Sequence, residues 1–566
     1  MMPWLPFMRS ARPLTPAPTL HDVGPQGTYA AAQAVVLPDT EALLAMKPGL
    51  RRSLSARFGV QGLAARLCPV ELEDGSVAIF ALAEHVASDQ ADELARRIAL
   101  AGLRAAEPPR YILHASLLLA VARDAFGRQG GAADNPIARG ALAEAFHELV
   151  EWGVTKGASD LHLNVRLDAP ESEIKYTICG RYLAPECFRR MPTGMLMEML
   201  SVAWMDISGG NGAVFDPRAE QQGSLSRRYA GREIMLRWAS MASERGPSVC
   251  LRILEKNRLA DIPPLEALGY CSEQITLLEQ SLAGSGGAVV FAGTVGSGKS
   301  TTLASLIARL PAERKVVTIE DPVEYTIPGA IQNSVARRLD TEAHDAFATK
   351  LRALKRSAMS DVLLGEVRDR ETGRAFMDLS GSGVNVYTTV HAPSVTLVVE
   401  RLASDFIGVC RDFLAMPGAL KLLVWQALLP RLCSCARVLV HEARHRNNVA
   451  QRLRGLEASF PGPVETLRIR NPDGCSRCRA QGLPELHGYD GRSVVAEMLV
   501  PGLVPAFSEW VRSRGRGTAP QPARSAMAVA MDAAYRGVFD PGDIEERFHS
   551  FEMECRLRAV RKMGAS

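Results

Sequence analysis

A glycine-rich segment between an apolar run and a helical pattern is the part of this sequence with the clearest chemistry. Residues 293–300 read G-x-x-x-x-G-K-S, follow the short apolar run 288–292 and precede a helical pattern over 301–310. Glycines let such a loop fold around phosphates, and its N–H groups and the following helix N-terminus direct positive charge inward. Lys299 is placed to reach the β- and γ-phosphates, and Ser300 offers a hydroxyl to Mg²⁺. The segment therefore predicts a nucleoside triphosphate site with these candidate residues: Gly293, Thr294, Gly296, Ser297, Gly298, Lys299, Ser300 and Thr301.

Acidic residues end two further strand-like runs downstream of this loop. Residues 316–324 form an apolar run that ends in Glu320, Asp321 and Glu324, and residues 361–366 form another that ends in Glu366. Strand ends in parallel sheets deliver side chains to the ligand crevice. A carboxylate there can hold Mg²⁺ or orient an attacking water, which extends the prediction from binding to hydrolysis. A third run over 384–391 ends in His391, whose position alone is weak evidence for a role.

Four of the eleven cysteines form two close pairs. Cys433 and Cys435 are separated by one residue, and Cys475 and Cys478 by two. Four thiolates can surround a tetrahedral Zn²⁺, which would fasten a loop without catalytic function because no coordination position stays open. The C-x-C spacing is one residue shorter than usual, so His441, His445 or His487 are alternative ligands. The other interpretations of the four cysteines are two buried pairs of free thiols and a disulfide.

Composition indicates a globular intracellular protein of several domains. The 566 residues carry a formal charge of only +4, which gives no electrostatic case for nucleic acid or membrane binding. No secretory signal is visible, and the longest apolar stretch, 111–122, contains His114 and is too short for a bilayer. The seven scattered cysteines suit a reducing compartment. These features predict a cytoplasmic chain.

The elements that must position these residues divide the chain into segments. Strand–loop–helix alternation over 262–500 is typical of an α/β fold. Before it, helical patterns over 92–103 and 111–126 surround a strand-like run at 75–82, and a Gly/Ala/Asp-rich linker lies at 130–135. The predicted segments are a flexible arm (1–38), an accessory domain (39–130), an α+β domain (136–258), an α/β domain (262–500) with a cysteine insert (431–488), and C-terminal helices (501–566).

These motifs, in this order, resemble the secretion superfamily ATPases of type IV pili and type II secretion, over about residues 140–560. The Walker A loop, acidic box, Walker B and histidine box of that family correspond to 293–300, 319–324, 364–369 and 383–391. The resemblance implies that Glu324 is the general base and that Glu366 is the Walker B acid acting through Mg²⁺. His391 matches the last histidine of its box, while an earlier one is replaced by Val384.

The upstream segment resembles the PAS-like N-terminal domain of the same family. Residues 157–163 match its opening motif, with Asn164 in place of the usual acid. The resemblance implies that Arg237 and Arg252 reach the nucleotide as arginine fingers do. Another family arginine is replaced by Ser248, with Arg245 nearby as a substitute.

The resemblance implies a RecA-like ATPase ring, a homohexamer that hydrolyses ATP with Mg²⁺ at the cytoplasmic face of the inner membrane. Such a motor would turn an inner-membrane platform protein and add pilin subunits, and a zinc-type insert favours assembly over retraction. The accessory domain would dock on a membrane-associated partner, and no nucleic acid partner is expected. Two alternatives stay open: a nucleotide-gated structural or regulatory ring component, and a DNA-translocating conjugative motor.

Overall fold

The computed structural model describes most of the chain as two compact units, residues 1–128 and 129–566. The described residues are 29–122, 136–255, 262–335, 343–443, 456–479, 482–514 and 519–564, except 39, 56, 61, 62, 64 and 65. The first 28 residues of the predicted arm and the linker at 130–135 lie outside them. The finer domain boundaries within 129–566 stay predictions.

The first unit contains a five-stranded sheet in the order β1-β5-β4-β3-β2. Strand β1 pairs in parallel with Tyr111 and Ile112, so the described end of the predicted arm contributes to this sheet. The helical prediction for 111–126 is wrong at its start, because Tyr111 and Ile112 pair with strands on both sides. The elements are β1 (Val35–Val36), β2 (Leu50–Ser53), β3 (Leu67–Leu72), β4 (Val77–Ala81), β5 (Ala105–Ile112), the α-helices Thr40–Ala45, Asp89–Leu100 and Ala115–Ala122, and the 3-10 helix Ala31–Gln33.

Residues 136–255 form an antiparallel sheet in the order β10-β11-β12-β6-β7-β8, with β9 paired to β7. Alternating burial along β11 shows that one face of the sheet packs inward while the other is open. The elements are β6 (Ala158–Asn164), β7 (Glu171–Ile178), β8 (Arg181–Leu183), β9 (Met191–Pro192), β10 (Gln221–Tyr229), β11 (Arg232–Met241), β12 (Ser248–Glu255), the helices Pro136–Thr155 and Thr193–Trp204, and the 3-10 helix Glu186–Phe188.

A second seven-stranded sheet, in the order β15-β14-β16-β17-β13-β18-β21, positions the predicted nucleotide loop. All neighbouring pairs are parallel except β18 and β21. Alternate residues of β13 enter two different hydrophobic clusters, so apolar layers cover both faces and the α/β prediction is confirmed. The strands are β13 (Ala288–Ala292), β14 (Val316–Glu320), β15 (Ala330–Ser334), β16 (Asp361–Glu366), β17 (Asn385–Val390), β18 (Leu420–Leu432) and β21 (Tyr489–Leu499).

Helices flank this sheet and complete the C-terminal part of the chain. A small two-stranded sheet, β19 (Arg437–Val438) and β20 (Arg468–Ile469), stands beside the cysteine pairs. Among the described residues, no helix is both long and apolar enough to cross a bilayer. The helices are Leu265–Leu268, Ser272–Ser281, Lys299–Ile307, Ala343–Leu354, Arg370–Gly381, Leu397–Leu402, Arg411–Leu414, Leu439–Ala443, Ser476–Arg479, Phe507–Arg512, Ala526–Tyr535, Pro541–Arg547 and Phe551–Gly564, with 3-10 turns at Val464–Thr466, Pro484–Leu486 and Pro501–Leu503.

Candidate active site

The glycine loop leaves the carboxyl end of β13 and leads directly into the helix Lys299–Ile307. Gly293, Gly296 and Gly298 adopt positive φ angles of 147°, 73° and 84°. A Cβ atom on Gly293 would lie 2.4 Å from the Gln426 carbonyl oxygen, so close backbone approach requires glycine there. The loop therefore has the strand–loop–helix setting that the sequence predicts for a phosphate site.

Lys299 is buried in the concavity of this loop. Its Nζ atom donates hydrogen bonds of 3.0 Å to the carbonyl oxygens of Gly293 and Thr294. Burial lowers the pKa of the Lys299 ammonium to about 8, and the charges of Glu366 and Glu324 oppose that shift. A phosphate at this point would stabilise the ammonium, since a buried cation gains most from an opposite charge nearby.

A polar network beneath the loop was not identified from the sequence. The fully buried Gln426 donates to the Ser297 carbonyl oxygen at 2.8 Å and accepts from the Tyr270 hydroxyl at 2.7 Å. The same hydroxyl lies 3.2 Å from Thr302 Oγ1. The available signal was a single glutamine within the apolar run 422–430, because a buried amide needs hydrogen-bond partners. Here its partners hold the loop in shape.

A cavity of about 150 Å³ lies beside the loop, with acidic side chains around it. Ser300, exposed at the second position of its helix, lines this cavity. Burial raises the pKa of Glu320, which accepts hydrogen bonds from Thr318 and Gln332. The arrangement suits a divalent cation, which prefers oxygen ligands. It also suits an attacking water, which can donate a hydrogen bond to a carboxylate. The acidic lining residues are Glu320, Asp321, Glu324 and Glu366.

His391 connects the loop to the acidic cavity. Its Nδ1 atom lies 3.1 Å from the Gly293 carbonyl oxygen, and its Nε2 atom lies 3.2 Å from Glu366 Oε1. The imidazole of His391 thus lies between the backbone of the loop and the Walker-type carboxylate Glu366. The hydroxyl of Thr301, the last residue of the predicted nucleotide site, lies 2.7 Å from the Tyr325 hydroxyl.

The two predicted arginine fingers occupy different positions. Arg237 on β11 donates to the Asp321 carbonyl oxygen at 3.3 Å, and its Nη2 atom lies 3.6 Å from the carboxylate of Asp321, a residue that lines the cavity. Arg252, its cross-strand neighbour on β12, instead pairs with Asp160 at 3.1 Å. Arg368, which the sequence reading did not single out, lies 3.5 Å from the second Asp321 oxygen. The structure therefore places Arg368 in the lining of the cavity, Arg237 on Asp321 beside it and Arg252 on Asp160.

The two residues that differ from the family pattern in the upstream strands, Asn164 and Ser248, contact each other. Asn164 on β6 and Ser248 on β12 are cross-strand partners, and the Ser248 hydroxyl donates to Asn164 Oδ1 at 2.9 Å. Arg245, the predicted substitute for the family arginine that Ser248 replaces, lies 3.8 Å from Asp168. A neutral hydrogen bond thus occupies the position, and neither departure leaves an unpaired charge.

The four paired cysteines converge on one point. Their Sγ atoms all lie within 4.8 Å of one another, with separations of 3.7 Å for Cys433–Cys475 and 3.9 Å for both Cys435–Cys478 and Cys475–Cys478. Tetrahedral Zn²⁺ with bonds of about 2.3 Å requires sulfur–sulfur edges of about 3.8 Å. All four thiols are free rather than oxidised. The backbone N–H of Cys478 lowers the pKa of Cys475 to about 6, whereas burial raises the pKa of Cys435 to about 12.

His441, His445 and His487 were the alternative ligands for this cluster. The described residues within ligand distance of one another are the four cysteines alone, so neither His441 nor His487 joins them. His445 lies outside the described residues. The short C-x-C spacing therefore does not prevent the four sulfur atoms from converging.

The parallel sheet, its glycine loop and the acid-lined cavity define a P-loop nucleotide-binding protein. Residues 138–538 match the family described as "Type II/IV secretion system protein". The match covers more than half of the chain, which therefore belongs to this family. The predicted family is confirmed.

Two curated relatives illustrate the similarity. The chain is 29% identical over 381 residues to "Type II secretion system protein E" of Dickeya dadantii, covering 65% of this chain and 66% of the relative. It is also 29% identical over 354 residues to "Type IV pilus assembly ATPase PilB" of Thermus thermophilus, covering 62% of this chain but 36% of that one. The chain thus spans slightly less than two thirds of the first relative. The second name supports the prediction of an ATPase.

Among solved structures, the Legionella pneumophila ATPase DotB is similar over 74% of this chain and 96% of that chain. The sequence identity is 18% and the TM-score is 0.44. The family assignment depends on the sequence match over residues 138–538.

Proposed function

We propose that this chain is an ATP-hydrolysing motor that powers the assembly of a pilus or pseudopilus. The observation that carries the proposal is the glycine loop around Lys299, which opens beside a cavity lined by Ser300, Glu324 and Glu366. A binding protein needs only the loop. Carboxylates facing the loop across a cavity supply what hydrolysis adds, namely a site for Mg²⁺ and groups that orient water.

The residues of the site would divide the work. The loop N–H groups and Lys299 would bind the phosphates of ATP, and Ser300 with Glu366 would hold Mg²⁺, which neutralises charge on those phosphates. Glu324 would orient the attacking water as general base. Arg237, which contacts Asp321 beside the cavity, would stabilise developing charge once it leaves that carboxylate. His391 would link Glu366 to the loop.

Coupling to movement would use the two sheets of the second unit. Arg237 belongs to the antiparallel sheet, whereas Asp321 follows β14 of the nucleotide-binding sheet, so their contact joins the two. Exchange of that contact for a phosphate contact would turn hydrolysis into rigid-body movement. The names of the relatives support a role in type II secretion or type IV pili. We infer a homohexamer on the cytoplasmic face of the inner membrane, acting on a platform protein there.

The cysteine cluster would hold one structural Zn²⁺. The sulfur–sulfur separations of 3.7 to 3.9 Å fit tetrahedral coordination, and four cysteine ligands leave no position for substrate. Zinc would fasten the strand end at Cys433 to the loop at Cys475. Such an insert supports assembly rather than retraction.

The proposal is tested with Lys299→Ala and Glu366→Gln in the full chain, with Glu313→Gln as an exposed carboxylate control. We expect Lys299→Ala to lose ATP binding because the phosphates lose their cation. Glu366→Gln should bind ATP but lose turnover by about 10²- to 10³-fold. The control should match the natural chain in both assays, measured by calorimetry and phosphate release.

The same measurements separate the alternatives. A natural chain that binds ATP but turns it over no faster than Glu366→Gln would contradict a motor and favour a nucleotide-gated ring component. Salt-resistant retardation of single-stranded DNA in a gel would instead favour a DNA-translocating motor, because non-specific phosphate contacts weaken steeply with salt.

A further inference from the structure

A C-terminal arginine reaches the nucleotide loop from the same chain. Arg547 is the last residue of the helix Pro541–Arg547, and its Nη2 atom lies 3.2 Å from Thr294 Oγ1. Lys299 donates to the carbonyl oxygen of the same threonine at 3.0 Å. Two cationic side chains, more than two hundred residues apart in sequence, therefore meet at one residue of the loop.

The helix that carries Arg547 is held in place on several sides. The Asp540 carboxylate caps it by accepting from the Gly542 N–H at 2.7 Å, and it also accepts from the Arg470 N–H at 2.8 Å. Ile544 is completely buried in the core. The Arg547 guanidinium carbon lies 5.8 Å from the centre of the Trp425 ring on β18. Packing and capping thus fix the position of Arg547, which is not a freely moving surface side chain.

Arg547 lacks a carboxylate partner among the residues that the structure describes. Among those residues, its guanidinium donates to the neutral Thr294 hydroxyl, and its buried Nε atom has no hydrogen-bond acceptor. Burial lowers the pKa of the Arg547 guanidinium, with no nearby charge opposing the shift. A partly buried cation without a counter-charge is unfavourable, and an anion beside it removes that cost.

We propose that Arg547 binds the terminal phosphate of ATP in the loop of its own chain, an inference that rests on the proposed function. The lysine of such loops binds the β- and γ-phosphates. Here that lysine is Lys299, and both Lys299 and Arg547 contact Thr294. A guanidinium presents a planar set of donors that matches phosphate oxygens. The position of the C-terminal helices would then depend on whether a γ-phosphate is bound.

The test compares ATP and ADP binding by the full chain carrying Arg547→Gln, using calorimetry with Mg²⁺. We expect the affinity for ATP to fall about tenfold or more, because a charge-assisted hydrogen bond is lost, and the affinity for ADP to change less than threefold. Arg556→Gln is the matched control, since Arg556 is exposed and pairs with Glu552. Its affinities should equal those of the natural chain.

The ratio of the two affinities distinguishes phosphate binding from a structural contact with the loop. An equal loss for ATP and ADP, or no loss for either, would overturn the proposal. If Arg547→Gln does not fold, as judged by its thermal midpoint, Arg547→Met keeps the packing on Trp425 and carries the same expectation. Failure of the natural chain to bind ATP at all would instead overturn the proposed function.

Discussion

The two ends of β16 place the same chemical group in opposite environments. Asp361, at the start of the strand, is completely buried. Its carboxylate accepts a hydrogen bond from Arg314 Nε at 2.7 Å and another from the Tyr387 hydroxyl at 3.0 Å. Glu366, at the end, is 34% exposed and has a 3.2 Å contact with His391. One carboxylate is saturated by protein donors, whereas the other keeps acceptor capacity facing a cavity.

The difference follows from the direction of the parallel strands. At their amino ends polar side chains satisfy one another, as Lys421 also does with Asn385 Oδ1 at 2.6 Å. At their carboxyl ends the strands open into the crevice that α/β sheets use for ligands. Residues at the two ends should therefore separate stability from activity.

Asp361→Asn gives the largest expected effect on stability. Loss of the fully buried carboxylate leaves the partly buried Arg314 cation uncompensated, which should reduce the free energy of unfolding by about 3–5 kcal/mol. Glu366→Gln should change it by less than about 0.5 kcal/mol, because half-exposed sites tolerate substitution. Urea denaturation of both variants checks this. Equal destabilisation of the two would break the comparison.

Substitution of the two cross-strand arginines sharpens the comparison within the site. Arg237→Ala should reduce the ATP turnover rate about a hundredfold, since it removes the donor that contacts Asp321 beside the cavity. Arg252→Ala should cost much less, because Asp160 already holds that guanidinium. Steady-state ATPase assays measure both. A larger effect of Arg252→Ala would mean that the antiparallel sheet shifts before hydrolysis.

Asp543 offers a carboxylate between these two extremes and a smaller, pH-dependent effect. Burial raises its pKa to about 6, although it accepts hydrogen bonds from the Tyr489 hydroxyl. The folded state then holds a proton more readily than the unfolded state, so the free energy of unfolding should fall as pH rises from about 4 to 6. The contribution should be on the order of 3 kcal/mol and stay lost above pH 6.

The matched variant for this prediction is Asp543→Asn, which cannot ionise. Its free energy of unfolding should lack this fall between pH 4 and 6, as measured by urea denaturation across the range. Parallel curves for the two proteins would show that Asp543 does not titrate there and belongs with the saturated carboxylates.

Local patterns predicted the elements of the nucleotide site well. The apolar runs at 288–292 and 361–366 are strands with those bounds, because buried parallel strands need continuous apolar residues. The helical prediction over 111–126 was wrong at Tyr111 and Ile112, since their strand partners lie far away in sequence. The roles assigned to individual residues of the site stay predictions until tested.

The sequence by itself determined the glycine loop, the acidic strand ends and the paired cysteines, because each is a short pattern whose chemistry depends on neighbouring residues. Only the tertiary structure decided which distant side chains meet: Ser248 with Asn164, Arg252 with Asp160, and Arg547 with Thr294. The reason is physical. Those contacts join segments separated by tens to hundreds of residues, and packing of the sheets and C-terminal helices brings them together.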